Sequence, residues 1–537
     1  MNAVLAASRP RVGTSSLAGL GLMAGFFLRR NWIRLVVWLA VVVVMMDVVA
    51  AYYKSQFNTP TALGERAMLA GSVGMRTVFG TVTSTGLGAA VWSEMWMFTA
   101  CLLAIGMAFL VTRNNRADEE HGRTELLRSR PIAPCSGLAA TVATLTAVCV
   151  LAAVGVSVVC GLYKLDPAGT GWTGSWLMGA SLGAVGLLGV GLAALTNQLT
   201  VTGRDANGLA LGVFAVCYLV RAVGDLEGNA LIWASPIGWG EKTDPWGHDR
   251  WLPLVFVIAV CLGCVAAAFV IQARRDYGAG VMRPRSGPVR AHRFATTEFG
   301  LTVLLNRRTA IAWIIGLALW SVLLGSAIND MKDLGAQLAQ ITGGGGLNSI
   351  IALWVRITAL LVATLVASQL LSLRGDEEHG LVEPRLAGGV SRWRLAGIRL
   401  LFAAILAVVV LVVTGVVMGA VYGHSASDMA WAGRLTVASL AYLPSLGIIA
   451  GVALASYGWW PRLAGPMTWT VVGIAWIVML FGNILKIPTS VLDKLPFTAV
   501  DLPATEPATA TILITSAIAV ILVVVGLIGF RRRGVPQ

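Results

Sequence analysis

The pentapeptide DEEHG occurs twice, at Asp118–Gly122 and at Asp376–Gly380, in a chain with only 12% charged residues. Carboxylates beside an imidazole can ligate a metal, move a proton or recognise a charged partner. A metal site on one helix needs Glu-x-x-His or a similar spacing, which is missing; three consecutive acids point in different directions. Acid–base catalysis needs further groups converging on a pocket, and the five histidines are scattered. The residues thus assign no catalytic group and no metal ligand. What remains is recognition. Each turn is expected to be solvated, with its acids near the N-terminus of a short interfacial helix, and to contact a partner at a shared surface. The first comprises Asp118, Glu119, Glu120, His121 and Gly122 with Glu125 downstream; the second comprises Asp376, Glu377, Glu378, His379 and Gly380 with Glu383 downstream.

The elements that must position these turns are long and apolar. With 57% hydrophobic residues and a mean hydropathy of +0.77, the chain reads as an all-α polytopic membrane protein. About twelve transmembrane helices are expected, near 33–53, 90–112, 137–163, 175–199, 206–224, 251–273, 309–328, 350–372, 395–421, 432–455, 464–485 and 509–530. Arginines gather at Arg29 and Arg30, in RNNRADEEHGRTELLRSR, in RRDYGAGVMRPRSGPVRAHR, in RWRLAGIR and in the terminal RRR. Such a bias places that side, and both termini, in the cytoplasm of a multi-pass plasma-membrane protein. The net charge of +14 then reflects topology and contact with the lipid bilayer, and calls for no nucleic acid. The first apolar run reads as a retained span rather than a cleaved signal. The seven cysteines lie almost entirely within spans and suit apolar packing.

Self-similarity organises the chain into two parallel six-span halves, 1–285 and 286–537. DEEHG follows span 2 and span 8; Arg116 matches Arg374, and Glu125 matches Glu383. GLMAGFFLRRNWIRLVVW before span 1 resembles FGLTVLLNRRTAIAW before span 7, so an interfacial amphipathic stretch ending in paired arginines is expected near 15–30 and 293–308. SPIGWGEKTDPWGHDRW and LPFTAVDLPATEP precede the sixth span of each half, as partly re-entrant outer segments shielded by protein.

Within the spans, Asp47, Glu94, Arg221, Asp225, Arg356 and Arg434 are the ionisable residues from which a substrate path would be built. Glu94 and Arg356 stand at nearly equivalent places and suit an ion pair or substrate contact, while Trp96 and Trp354 suit an apolar cavity wall. GASLGAVGLLGVGLAAL suits close helix packing. No Gly-Lys occurs, so no phosphate-binding P-loop is present.

Together the duplicated halves, paired-arginine stretches, repeated acidic turns and proline-containing outer segments resemble the permease subunits of ABC-2-type exporters. They resemble most closely the fused, double-length permeases of actinobacterial polyketide-antibiotic and multidrug exporters, the tetronasin-type group. EEHGRTELLRSRPI and RGDEEHGLVEPRLAGGVSRWRLAG carry the likeness, which spans nearly the whole chain; the second copy lacks LLRSRP. The resemblance implies interfacial elbow helices, and cytoplasmic coupling helices formed around the two acidic turns. It implies two copies of a separate ABC ATPase subunit that bind ATP and Mg, no cofactor on this chain, and outward transport of hydrophobic or amphipathic compounds. The rival expectation is an ion-coupled secondary drug transporter using Asp47 and Glu94.

Overall fold

The computed structural model describes residues 17–532 apart from 58, 72–75, 77–78, 82, 129–131, 168–169, 283–292, 331–345, 379, 483–486, 493, 499, 501 and 504–508. All its regular elements among these residues are helical, and eleven helices are long and apolar enough to cross a membrane. The protein is an all-α polytopic membrane protein. The expected span at 464–485 has a shorter apolar helix than the eleven: its helix covers Ala464–Phe481, with the apolar stretch at Ala464–Met479, and residues 483–485 lie outside the described residues. Eighteen residues rise about 27 Å, slightly less than a hydrocarbon core of about 30 Å.

Two compact units divide the chain, Met1–Ser286 and Gly287–Gln537. The first contains α1 (Leu20–Gln56), α2 (Pro60–Ala70), α3 (Leu87–Asn114), α4 (Arg116–Glu120), α5 (Arg123–Arg128), α6 (Ser136–Leu162), α7 (Thr173–Leu199), α8 (Gly203–Glu227), α9 (Pro236–Glu241) and α10 (Leu252–Arg274). The second contains α11 (Glu298–Asp330), α12 (Gly346–Glu378), α13 (Glu383–Ala387), α14 (Arg392–Ala426), α15 (Ala430–Leu440), α16 (Leu443–Trp459), α17 (Ala464–Phe481), α18 (Thr489–Leu492) and α19 (Thr509–Arg532). Within the first unit α1 packs on α6, α6 on α7, α7 on α3 and on α10. Within the second, α11 packs on α14, α14 on α15, α16 on α12 and on α19, which is the same order of pairings.

Glycine sets the depth of these contacts. A Cβ on Gly179 of α7 would lie 2.1 Å from the Ala153 carbonyl oxygen of α6, and one on Gly189 would lie 2.2 Å from the Ala104 carbonyl oxygen of α3. Only glycine admits such backbone approach, so the glycine-rich run makes α7 the buried centre of its unit. In the second unit Gly458 of α16 approaches the Gly526 carbonyl oxygen of α19, where a Cβ would stand at 2.7 Å.

Two expectations change in detail. The elbow stretches are not separate helices: α1 runs 37 residues without a break and α11 runs 33. Neither contains proline, and helical bonding continues through the paired arginines into the apolar run. The expected span at 432–455 lies within the apolar stretch Ala430–Trp459, which is interrupted at Ala441 and Tyr442 into α15 and α16. Pro444 opens α16, where its missing N–H costs no internal helix bond.

Candidate functional site

In both units the acidic turn closes the second spanning segment. Asp376, Glu377 and Glu378 are the last three residues of α12, while Asp118, Glu119 and Glu120 complete α4, which continues α3 after the Asn115 break. The acids therefore sit at the C-terminal end of a spanning segment, correcting the expectation of an N-terminal position. Carboxylates there oppose the helix dipole. They persist because each finds a donor.

The glycine has a backbone reason. Gly122 has φ +68° and Gly380 φ +69°, both in the left-handed region that stops a helix with little cost only at glycine. Gly122 N–H donates to the Glu119 carbonyl at 3.1 Å and Gly380 N–H to the Glu377 carbonyl at 3.0 Å. DEEHG thus encodes a helix stop as well as a charge cluster.

At the first turn, Glu119 is almost enclosed, its side chain 8% exposed. It accepts from both terminal nitrogens of Arg275 at 2.8 and 2.6 Å, from Arg116 at 2.9 Å and from the Gly278 N–H at 2.8 Å. Arg116, itself buried, also donates to the Val201 carbonyl at 2.8 Å. Asp118 pairs with Arg30 of α1 at 2.6 Å and with Arg123 at 3.2 Å. Glu120 accepts the Gly203 N–H, at the start of α8, at 3.0 Å. The three acids join α1, the start of α8 and the segment after α10 to one helix end. Solvated turns had been the expectation; Asp118 and Glu119 are instead internal partners.

At the second turn, Asp376 pairs with Arg399 of α14 at 2.8 Å, and Glu377 accepts a hydrogen bond from the Tyr457 hydroxyl of α16. Glu378 pairs with Arg374 one helical turn back at 2.8 Å, with Glu378 60% exposed. Arg374 also donates to the Arg462 carbonyl at 3.2 Å. His379 lies outside the described residues. His121 is exposed and its ring Nδ1 is 2.5 Å from the Ala117 carbonyl oxygen. Glu125 and Glu383 are exposed as well.

The candidate path residues occupy different environments. Trp96 is fully buried, stacks on Trp92 with ring centroids 4.5 Å apart and donates its Nε1–H to Ser181 at 2.7 Å. It therefore belongs to the interior packing of its unit, because its indole N–H needs a partner once buried. Trp354 is buried too. Glu94 pairs within its own unit with Arg66 of α2 at 2.8 Å, and Arg66 also donates to the Tyr53 hydroxyl at 3.2 Å. Burial pushes the Arg66 guanidinium down to about 10. Arg356 donates to the Val500 carbonyl at 3.4 Å.

A further buried constellation lies in the proline-containing segment before the last span of the first unit. Ser235 caps α9 by accepting the Gly238 N–H at 3.4 Å, with Pro236 opening the helix. This α9 packs on α7, α8 and α10, which is the protein-shielded segment expected from its prolines. Arg221 lies 2.7 Å from Glu241 and 2.9 Å from Asp225, all three essentially without exposure. Burial alone would raise the Glu241 carboxyl. The Arg221 charge, the Thr81 N–H and Lys242 overcome that and hold it below the ordinary range. Arg221 and Asp225 stood out in the sequence by being charged within a span; Glu241 did not, because it lies beyond the span on a loop helix.

Among the described residues, no group of three or more His, Cys, Asp or Glu side chains is placed to hold a metal. Spanning helices whose charges are gathered in helix-end latches and small interior pairs define a multi-pass membrane protein. Comparison with known proteins agrees with that class. Residues 296–531 match the family model described as the C-terminal domain of the multidrug efflux system permease Rv1217c. Over 98% of the chain and 97% of the relative, the sequence is 30% identical to the multidrug efflux system permease protein Rv1217c of Mycobacterium tuberculosis. The chain belongs to the Rv1217c family of permeases.

Proposed function

We propose that this chain is the membrane permease of a multidrug efflux system, in which ATP and Mg are bound by two copies of a separate ABC ATPase and hydrophobic or amphipathic compounds move out of the cell. The observation that carries this reading is the acidic turn at the end of the second spanning segment in both units, in a chain whose relative is a multidrug efflux permease. The arginine-rich ends face the cytoplasm in this reading, with the chain in the plasma membrane of an actinobacterium and assembled as a fused permease of the ABC-2 type.

The two turns divide the work of docking. Asp118, Glu119 and Glu120, like Asp376 and Glu377, hold the helix end in place through donors of their own unit. The exposed members, His121 and Glu125 in the first copy and Glu378 and Glu383 in the second, meet the ATPase. Gly122, Gly380 and His379 complete the coupling elements. A movement of the ATPase surface would then pull on α1 and α8 of the first unit and on α14 and α16 of the second through the buried acids. In this reading Glu94 is the part-exposed charge on the substrate path, and Arg356 is its counterpart in the second unit.

Co-purification tests the assembly: a complex of two ATPase chains per permease is expected, and a permease that purifies without an ATPase while transporting normally would overturn the reading. Transport that stops on collapse of the ion gradient and survives ATP depletion would establish the ion-coupled alternative.

A further inference from the structure

Beside the first acidic turn lies a cavity of about 90 Å³, built by α1, α3, α6, α7 and α10 of the first unit. One wall is apolar, with Met23, Phe26 and Phe27 of α1. The other is polar, and it contains side chains that the fold leaves unsatisfied. Asn197 is 1% exposed, and neither its amide nitrogen nor its amide oxygen has a hydrogen-bond partner. The buried Gln272 Oε1 and Arg30 Nε are also without partners. A buried amide left with both ends unpaired is costly, and native interiors avoid it unless something outside the chain supplies the partner.

We propose that this cavity is a binding site for the uncharged polar head of an amphipathic molecule, entering from the leaflet at the arginine-rich ends. The charges in its wall decide the head. Arg30, Arg116 and Arg275 are matched by Asp118, Glu119 and Asp276, and the first five are already engaged with one another. Asp276, the sixth, is exposed to solvent, so a net charge on the ligand would meet no buried counter-ion. A hydroxyl or amide head can instead donate to Asn197 Oδ1 and Gln272 Oε1 and accept from Asn197 Nδ2 and Arg30 Nε, with its tail against Met23 and Phe26. Phe26 is half exposed, so the tail has an open side to leave by. Asp118 and Glu119 belong to the same wall, so an occupied cavity touches the acidic turn directly. Binding needs neither ATP nor an ATPase, and the site stands whether or not the transport reading holds.

The test uses the full-length chain in phosphatidylcholine nanodiscs and a monoacylglycerol bearing a diazirine in its acyl chain. Mass spectrometry is expected to place the crosslinks on the peptides around Met23–Phe27 and Gly137–Thr141. Replacing the glycerol head with trimethylammonium or sulfate should abolish them. Asn197→Ala should weaken labelling about thirtyfold and Gln272→Ala about fivefold, the worth of two neutral hydrogen bonds and of one. Gln272 is only half buried, so its variant keeps the test decisive should the Asn197 variant fail to fold. Displacement by a diacylglycerol supports the site with a membrane lipid as occupant; displacement by the uncharged glycoside digoxin supports it with a transported compound. Equal labelling by the charged probes, undiminished labelling of the variants, or failure of both competitors would overturn the proposal.

Discussion

At the first acidic turn Glu119 is held by two arginines and a backbone N–H, whereas at the second Glu377 takes a hydrogen bond from the Tyr457 hydroxyl. The pairing of Asp118 joins the turn to the first helix of its unit through Arg30, while Asp376 is joined to the third span through Arg399. The same five letters therefore close the same helix end with different neighbours. What is kept between copies is the left-handed glycine and the acids at a helix C-terminus; what differs is how deeply the acids are buried and where the compensating donors come from. A repeated motif can preserve a backbone device while each copy builds its own anchorage.

The largest effect expected from this difference is on stability. Glu119→Gln removes the counter-charge from Arg116, 1% exposed, and from Arg275, 11% exposed. Leaving buried cations unpaired costs about 3 kcal/mol or more. Glu377→Gln weakens the hydrogen bond from Tyr457, worth about 1 kcal/mol. Thermal unfolding of the two variants in one detergent would measure the gap, and equal losses would dissolve the contrast between the turns.

Next comes packing. Gly189→Ala drives a methyl group to 2.2 Å from the Ala104 carbonyl oxygen, a backbone atom that cannot swing aside; Gly458→Ala meets the Gly526 carbonyl oxygen at 2.7 Å. Overpacking of this kind costs roughly 1–3 kcal/mol, so the first substitution belongs near the top of that range and the second near the bottom. Yield and unfolding temperature of the matched pair would check the ranking, and a larger loss for Gly458→Ala would reverse it.

A smaller difference separates the first acids. Asp118→Asn loses charge pairing with Arg30 and Arg123 at a side chain only 10% exposed, where Asp376→Asn loses Arg399 at one 25% exposed. Charged hydrogen bonds in such settings are worth about 1.5–3 kcal/mol, less as exposure and solvent screening grow. Raising the salt concentration should narrow the gap between wild type and Asp376→Asn more than that between wild type and Asp118→Asn.

How far these contrasts could be read from the sequence depends on the range of each interaction. Helix positions and the buried glycine face of α7 follow from local hydropathy and spacing, and the recurrence of DEEHG marks equivalent helix ends. The anchors do not follow. Arg275 is 156 residues from Glu119 and Tyr457 is 80 residues from Glu377. Arg275 also sits among arginines that topology alone explains, so nothing local distinguished it from a membrane-surface charge. The acids looked solvated because a run of three carboxylates ordinarily is; burial became affordable only once distant donors were folded against them. The division of the 432–455 span was visible in Pro444, whereas nothing in the paired arginines marked an end to helical bonding in α1 or α11.

The smallest structural effect belongs to the exposed residues, and it separates anchorage from docking most sharply. Glu125 and Glu383 are both exposed at corresponding places beyond the two turns, so Glu125→Lys and Glu383→Lys should each leave the unfolding temperature within the small range of surface substitutions, about 0.5 kcal/mol. If these positions meet an ATPase, the double reversal should weaken its association at least tenfold through like-charge contacts and lost complementarity. The reversal at the first turn should matter more, because its helix end is latched by a more deeply buried acid, Asp118 being 10% exposed against 25% for Asp376, and so presents a more pre-organised surface. Affinity measured for each single reversal, with the unfolding temperature as control, reads the two effects apart: unchanged association in the double variant would remove these residues from the docking surface while leaving the buried latches as described.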